Sequence, residues 1–280
     1  MHHAIRVRLL GPVTVHGPDG PVPVGGRRAQ RLLATLALAP GHPVSVPALI
    51  DAAWPESPPA TCRDQVNNCL GGMRRRLAGV LGEDLLRRTS GGFELGLAAD
   101  RVDAHLFRRA VGRADAGADE PALVARLRGA LALWTGEALE GIADGTLAVD
   151  AARLNELRLA GYEELFEAEL RLGAGDPALI AEIAALARRH PLRERLTWQL
   201  MRALHAADRS AEALRVYDEH RRCLREELRV EPDPAVRALA AQLRLGRTDP
   251  AQARPESLGA LLTRLSDLAR EAAWRLEAGT

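Results

Sequence analysis

The sequence predicts a mainly helical protein with a small α+β region at its N-terminus. The first third of the 280-residue chain alternates short apolar and polar runs between turn residues, which is typical of strands. From about residue 103 the chain is rich in Ala, Leu, Arg and Glu at helical spacing, with only short breaks. These patterns divide the chain into a mixed segment of residues 1–100, an all-helical segment of residues 101–246 and a terminal segment of residues 247–280.

The composition is that of an ordinary folded protein, with 47% hydrophobic and 27% charged residues and a net charge of +1. No apolar run approaches the roughly 20 residues needed to span a bilayer. The N-terminus lacks the basic and then apolar pattern of a secretory signal. Cys62, Cys69 and Cys223 are odd in number and widely spaced, which argues against a disulfide framework or a metal site. We therefore expect a cytoplasmic protein without a metal or another cofactor.

Three short strands are predicted first, over Ile5–Leu9, Val13–His16 and Val22–Val24. The sequence Gly17-Pro18-Asp19-Gly20 provides a turn between the second and third strands. This region therefore predicts three short strands, the last two joined by a tight turn.

Two helices follow the strands. The first begins after Gly26 and ends at Pro40-Gly41. Its predicted buried face holds Leu32, Leu33, Leu36 and Ala37. The second extends from an N-cap at Ser45 to Ala53, and the proline-rich stretch of residues 54–59 must be a loop.

A third helix and a hairpin complete the mixed segment. Thr61 is the predicted N-cap of this helix, and Asp64 occupies the third helical position as in a variant capping box. Its predicted core stripe holds Val66, Leu70, Met73 and Leu77. Residues 85–89 and 93–95 then flank Ser90-Gly91-Gly92, which is a hairpin signal.

Strands, three helices and a hairpin in this order predict a winged helix-turn-helix, in which the third helix enters the DNA major groove. If the core stripe faces inward, the opposite face of the third helix holds Thr61, Asp64, Asn68, Gly71 and Arg75, with Gly72 beside them and Asn67 and Arg74 on a flank. Asn can pair with adenine, and Arg with guanine or phosphate. Arg87 and Arg88 in the hairpin would contact phosphate or the minor groove.

The basic charge is concentrated in the same region. All 38 basic residues are arginines, whose planar fork suits phosphate. Residues 1–100 carry 11 arginines and 8 acidic residues, a net charge of +3. Six of these arginines fall within 26 residues: Arg63, Arg74, Arg75, Arg76, Arg87 and Arg88. Because this excess is modest, a solvated arginine-rich face on an ordinary α+β domain is the alternative.

Gly71 and Gly72 lie in the middle of the third helix, where each costs about 1 kcal/mol relative to alanine. This cost suggests three explanations. The backbone approaches DNA closely at this point, the helix bends, or the role of the helix in reading DNA has weakened.

The helical segment contains a weak internal echo, since residues 167–173 recur approximately as residues 200–204. A period of about 34 residues is typical of tetratricopeptide-like helical hairpins. In the terminal segment, residues 247–255 are predicted to be a linker, and Ser257 could cap a last helix. One face of that helix holds Leu258, Leu261, Leu262, Leu265, Leu268 and Ala272, and it would dock on its own domain or on a partner.

The sequence does not favour an enzyme. Gly25-Gly26-Arg27-Arg28 lacks the Lys-Ser/Thr ending of a phosphate loop, and there is no nucleophile elbow. Glu163-Glu164 and Glu226-Glu227 are adjacent pairs that are expected to diverge on solvated helices. The eight histidines are scattered without ligand spacing.

The chain up to about Gly246 resembles the Streptomyces antibiotic regulatory protein (SARP) family, whose members join a winged helix to a helical bacterial transcriptional activation domain. In the mixed segment the matching pieces are Leu9–Val13, Arg31–Leu38, Val46–Pro55, Met73–Leu77 and Gly92–Leu95. In the helical segment they are Ala130–Gly136, Glu156–Ala160, His190–Arg195, Leu200–Leu204, Ala211–Tyr217 and Glu226–Pro232. His205 stands where the family more often has an aromatic residue, and we expect it to be a satisfied core residue.

The resemblance implies a homodimer-capable activator that binds direct repeats in promoters, recruits RNA polymerase and controls a secondary-metabolite gene cluster. It also implies that the loop from residue 54 to residue 60, with Trp54, Glu56 and Ser57, touches the polymerase. Because the chain ends soon after the activation domain, it resembles the small members of the family.

Two positions depart from the family pattern. Gly72 falls where such winged helices often place a base-reading arginine, and Gly71 replaces a polar or basic residue. Arg74 and Arg75 remain where phosphate-binding residues are expected. The alternative function is therefore a member that has lost operator reading and binds a protein or a small ligand through its helical hairpins.

Overall fold

The computed structural model describes residues 7–82, 85–112, 119–173 and 175–246. Its contacts divide the chain into two compact units, the first made of residues 1–115 and 128–158 and the second of residues 116–127 and 159–280. The predicted linker and terminal helix of residues 247–280 lie outside the described residues, as do Ile5 and Arg6 of the first predicted strand.

The first unit begins with an antiparallel sheet of β1 (Val7–Arg8), β2 (Thr14–Gly17) and β3 (Gly20–Val22), in that order. The predicted order is confirmed, but β3 lies two residues earlier than expected. The reason is that strand pairing starts directly at the turn, where Gly17 lies opposite Gly20.

Three helices follow, α1 (Arg27–Leu38), α2 (Val46–Ala53) and α3 (Cys62–Leu81). The predicted face of α1 is buried, with Leu32, Leu33, Leu36 and Ala37 all at 0% exposure. Ser45 caps α2 as expected, since its hydroxyl accepts a hydrogen bond from the Ala48 amide at 3.3 Å. The order of elements and their buried faces therefore confirm the winged-helix prediction.

The wing is a hairpin of β4 (Leu86–Thr89) and β5 (Gly92–Leu95). It is fixed to the chain before α2, because Val44 and Phe93 exchange two backbone hydrogen bonds of 2.7 and 2.9 Å. Gly92 is required at this contact, since its φ is +137° and a side chain would collide with the Val44 carbonyl.

The first unit is completed by α4 (Asp103–Val111), the end of α5 (Glu120–Leu131) and the start of α6 (Thr146–Gly173). The rings of Phe107 and Trp134 meet edge to face at 5.2 Å within this part. Segments from the predicted helical part of the chain therefore belong to the same compact unit as the winged helix.

The second unit contains the remainder of α5 and α6 together with α7 (Pro177–Arg189), α8 (Glu194–Ala206), α9 (Ser210–Glu227) and α10 (Pro234–Arg244). From α7 onward, successive helices pack on one another, and α10 contacts both α8 and α9. This succession agrees with the predicted array of helical hairpins. Within the described residues, no helix is both long and apolar enough to cross a membrane.

The expectation that Glu163 lies on a solvated helix surface is wrong. Glu163 is only 1% exposed, and it accepts a hydrogen bond of 2.9 Å from Nε of Arg193. Burial raises the pKa of its carboxyl group, while the charges of Arg193 and Arg195 act in the opposite direction. This carboxylate therefore joins α6 to the start of α8. The expectation for His205 is met in part, because it is half-buried with its Nδ1 2.8 Å from the hydroxyl oxygen of Ser210.

Candidate nucleic-acid interface

Helix α3 separates a buried stripe from an exposed face. Val66, Leu70, Met73 and Leu77 of the stripe are between 0% and 2% exposed. The exposed positions on the other side include Thr61, Arg63, Asp64, Asn68, Arg74 and Arg75, while Asn67, Gly71 and Gly72 are half-buried. None of the predicted DNA-contacting residues of α3 therefore lies in its buried stripe.

The predicted capping box at the start of α3 is not formed. Thr61 is the N-cap residue, but its side chain makes no capping hydrogen bond. Its hydroxyl instead accepts a hydrogen bond of 3.0 Å from the side-chain amide of Gln65. The backbone explains the difference, because Thr61 has a ψ of 15° rather than the extended ψ of a capping residue.

Gly71 and Gly72 are not required by packing inside the protein. A Cβ atom added at Gly71 would have only Nη1 of Arg75 nearby, at 3.8 Å, and one added at Gly72 would meet no atom within 4 Å. Helix α3 continues through both positions without interruption. The three explanations from the sequence, which are a close approach of another molecule, a bend of the helix and a weakened role in reading DNA, therefore all remain.

The arginines of this surface differ in how strongly they are held. Arg74 donates to the carbonyl of Leu86 and thereby joins α3 to the wing. Arg87 forms an ion pair of 2.6 Å with Glu94, its cross-strand neighbour. The guanidinium of Arg88 lies 5.8 Å from the centre of the Phe93 ring.

Arg63 and Arg75, in contrast, are exposed and make no hydrogen bond or ion pair within the described part of the chain. Their charges are the most available ones on α3, because an incoming anion would not have to displace a hydrogen-bond partner, whereas Arg74 and Arg76 donate to backbone carbonyls.

Polar groups at the start of α1, which the sequence did not assign to the interface, border the same face. A groove between the start of α1 and α3 is lined by Gly26, Arg27, Arg28, Ala29, Gln65, Asn68, Cys69, Gly72 and Arg76. Arg28 donates to Oε1 of Gln65 at 3.1 Å, and its guanidinium stacks 4.5 Å from the centre of the Trp54 ring. The sequence signals for this groove are Asn68, Gly72 and Arg76 on α3 and the pair of arginines after Gly26, which lacks the ending of a phosphate loop.

The predicted polymerase loop has one anchored and one free part. Trp54 is half-buried beneath Arg28, whereas Glu56 and Ser57 are exposed. Pro55 packs against Gly145, whose φ of +55° and close contact leave no room for a side chain. Only the tip of the loop is therefore free to meet a partner.

The winged helix is held by two buried polar groups of the first unit. Arg31 is 2% exposed, and it donates to the carbonyls of Ala52 and Ile142 and to the carboxylate of Asp144. Asp103 is 1% exposed, and its carboxylate accepts hydrogen bonds from the backbone amides of Leu9 and Leu10.

These contacts make the first unit larger than the predicted segment of residues 1–100. Asp103 also accepts from the amide of Ala104 at 2.7 Å. Burial nevertheless raises its pKa to about 6, although these three hydrogen bonds favour the charged form. The orientation of α1 and α2 thus depends on residues beyond the winged helix itself.

Comparisons with known proteins agree with this architecture. Residues 102–244 match the model of the bacterial transcriptional activator domain. The chain is 34% identical over 257 residues to the regulatory protein DnrI of Streptomyces peucetius, covering 88% of this chain and 93% of DnrI. It is 36% identical over 254 residues to the regulatory protein AfsR of Streptomyces coelicolor, covering 89% of this chain and 25% of AfsR.

A solved structure is similar over the same range. The structure of Mycobacterium tuberculosis EmbR in complex with a low affinity phosphopeptide superposes with a TM-score of 0.80 at 30% identity, covering 87% of this chain and 65% of the EmbR chain. The chain thus spans nearly all of DnrI but only part of AfsR and EmbR. It belongs to the SARP family and is a DNA-binding transcriptional activator with a bacterial transcriptional activator domain.

Proposed function

We propose that this chain activates the promoters of a secondary-metabolite gene cluster by placing α3 in the DNA major groove. The observation that carries the proposal is the exposed polar face of α3 beside an arginine-bearing wing. Asn68 and Arg75 are the base-reading candidates, because both are exposed and can form bidentate pairs with adenine and guanine. The remaining contacts would hold the DNA backbone.

Phosphate contacts come from three places in this proposal. Arg63 lies in the first turn of α3, Arg88 lies in the wing, and Arg28 lies in the groove between α1 and α3. Each neutralised phosphate releases counterions, so the binding constant falls steeply with salt concentration. Arg87 contributes less than Arg88, because Glu94 already compensates its charge.

The glycine pair has a specific place in this arrangement. Thr61, Asp64 and Asn67 line the α3 surface around Asn68, and Gly71 and Gly72 let the backbone approach the floor of the groove. With few base-reading side chains, the shape and deformability of the DNA supply part of the specificity. The winged helices of a homodimer on direct repeats would double the footprint.

Activation requires contact with RNA polymerase. The exposed tip of the loop after α2, with Glu56 and Ser57, is the proposed contact, and Trp54 positions it by stacking under Arg28. The protein would act in the cytoplasm, where the bacterial chromosome lies, and would need no cofactor and no catalytic activity.

The test is fluorescence anisotropy with DNA from upstream of the neighbouring genes, using Arg75→Ala and Asn68→Ala. Loss of a bidentate base contact should weaken operator binding by about 1–3 kcal/mol, that is about 5- to 150-fold, without changing the circular dichroism spectrum. Arg237→Ala is the matched control, because Arg237 is also exposed but lies on α10.

If Arg75→Ala and Asn68→Ala both bind like the parent protein, the assignment of this face is wrong. If the parent protein binds no upstream DNA, the alternative of a protein- or ligand-binding helical module gains support.

A further inference from the structure

The second unit contains a cleft of about 610 Å³ along α8. Thr197, Leu200 and Leu204 of α8 form its floor, while Ile180 on α7 and Val216 on α9 belong to its sides. Helix α8 packs against both α7 and α9, so the cleft follows the α8 axis between its two neighbours. We call this surface the α8 cleft.

The α8 cleft suits an amphipathic helix better than a small ligand. It is open and mostly apolar along its floor, and its lining includes charged side chains of both signs, namely Arg188, Arg209, Glu212, Arg215 and Glu219. Helix α8 has 13 residues and is therefore about 20 Å long. A helix laid over it with an apolar stripe of the same length would complete a compact four-helix layer.

The chain itself supplies such a stripe beyond α10. The apolar face predicted from Leu258 to Ala272 extends about 21 Å at a rise of 1.5 Å per residue. The opposite face carries charges of both signs, like the lining of the cleft.

The connection is long enough for this segment to reach the cleft. Arg244 at the end of α10 is held on α9 by an ion pair of 3.2 Å with Asp218 and by the ring of Tyr217 at 5.1 Å. The ten residues 247–256 can span about 33 Å when extended, and crossing one helix requires only about 10–12 Å.

We infer that residues 257–278 fold as a helix that docks into the α8 cleft of the same chain. This interaction goes beyond DNA binding, because it gives the helical unit an internal ligand that any peptide partner of this cleft must displace.

A native thiol reports on the occupancy of the cleft. Cys223 lies on α9, lines the cleft and is half-buried. Replacing Cys62 and Cys69 of α3 by serine leaves Cys223 as the single thiol of the full chain. The rate at which a maleimide modifies Cys223 then measures how often the cleft is open.

Two full-length variants are compared with the parent protein of this background. Leu261→Glu with Leu265→Glu places charges on the apolar stripe, and we expect Cys223 to react about tenfold faster because the helix leaves the cleft. Ala260→Glu with Thr263→Glu adds the same charge to the opposite helix face and should leave the rate unchanged. Equal rates in the parent and the stripe variant, with unchanged circular dichroism, would overturn the inference.

A covalent trap identifies the occupant. In the same background, Leu265→Cys should form a disulfide with Cys223 under mild oxidation, seen as the loss of both free thiols in a chain that still migrates as a monomer on non-reducing gels. A disulfide-linked dimer would assign the cleft to a second copy and contradict docking within one chain. Sedimentation gives a second way to contradict the inference. If the stripe variant is a monomer where the parent protein is a dimer, and Cys223 reacts at the same rate in both, the helix forms a dimer interface and does not dock in the cleft.

Discussion

Replacing Gly71 and Gly72 with alanine should change stability and DNA binding in opposite directions. A glycine in a helix interior costs about 0.8–1.0 kcal/mol relative to alanine. The added methyl group meets only Arg75 at 3.8 Å at the first position and no atom within 4 Å at the second. We therefore expect each substitution to raise the free energy of unfolding by about 1 kcal/mol, and the pair by about 2 kcal/mol.

DNA binding should become weaker if the backbone of α3 approaches the groove at this point. A methyl group that cannot be accommodated costs about 1–3 kcal/mol in a close-packed contact, so the dissociation constant should rise by about 5- to 150-fold. The stability gain and the binding loss would then occur in the same variant.

Urea unfolding measures the first effect and anisotropy on operator DNA the second. Gly129→Ala on α5 is the matched control, because a Cβ atom there also meets no atom within 4 Å and the residue is exposed. It should stabilise the protein without affecting DNA binding. Destabilisation by Gly71→Ala or Gly72→Ala would refute the packing argument, and unchanged or tighter operator binding would refute the close approach.

Three further predictions follow from the polar contacts of the first unit. Arg31→Met should lower the free energy of unfolding in urea titrations by about 2–4 kcal/mol, because it leaves buried carbonyl groups without a donor. Arg27 is exposed and pairs with the same carboxylate, that of Asp144, so Arg27→Met should lower it by less than about 1 kcal/mol. Between about pH 4 and 6 the Asp103 carboxyl group stays protonated in the folded protein but is ionised in the unfolded chain. As the pH rises through this window, the free energy of unfolding should therefore fall by up to about 3 kcal/mol more in the parent protein than in Asp103→Asn. If the parent protein and the variant show parallel pH profiles, the assignment is wrong. Glu94→Gln should free Arg87 to bind a phosphate, so the slope of the logarithm of the DNA-binding constant against the logarithm of salt concentration should steepen by up to about one. An unchanged slope would show that Arg87 does not contact the DNA.

Local patterns were sufficient to predict the helices and the wing. The stripe from Val66 to Leu77 repeats at helical spacing, and the hairpin is marked by Ser90-Gly91-Gly92 between two apolar runs. Both signals depend on residues that are close in sequence, so the local pattern is sufficient to predict the helix and the hairpin.

The buried polar groups could not be predicted in the same way. Arg31 lies 111 residues before Ile142, and Asp103 lies 94 residues after Leu9, so neither contact leaves a local pattern. Glu163 occupies a helix position that reads as solvated until α8 covers it. Thr61 has a side chain suited to capping, but its backbone is not extended and its hydroxyl accepts a hydrogen bond from Gln65 instead, so the capping hydrogen bond does not form.

The part of the interface around α1 was missed for a related reason. Arg27 and Arg28 precede α3 by more than 30 residues, and only the tertiary fold brings them next to Gln65 and Asn68. Sequence periodicity identified which face of α3 is exposed, whereas the arginines that flank this face depend on how the helices cross.

The most direct test of the central claim is the specificity and salt dependence of DNA binding by the parent protein. Anisotropy should be measured on labelled upstream DNA and on a scrambled sequence of equal length, each at several salt concentrations. We predict that operator binding survives an excess of scrambled competitor and that the logarithm of the binding constant falls steeply and linearly with the logarithm of salt concentration. Equal affinity for both sequences would show that the winged helix no longer reads an operator and would contradict the proposed function.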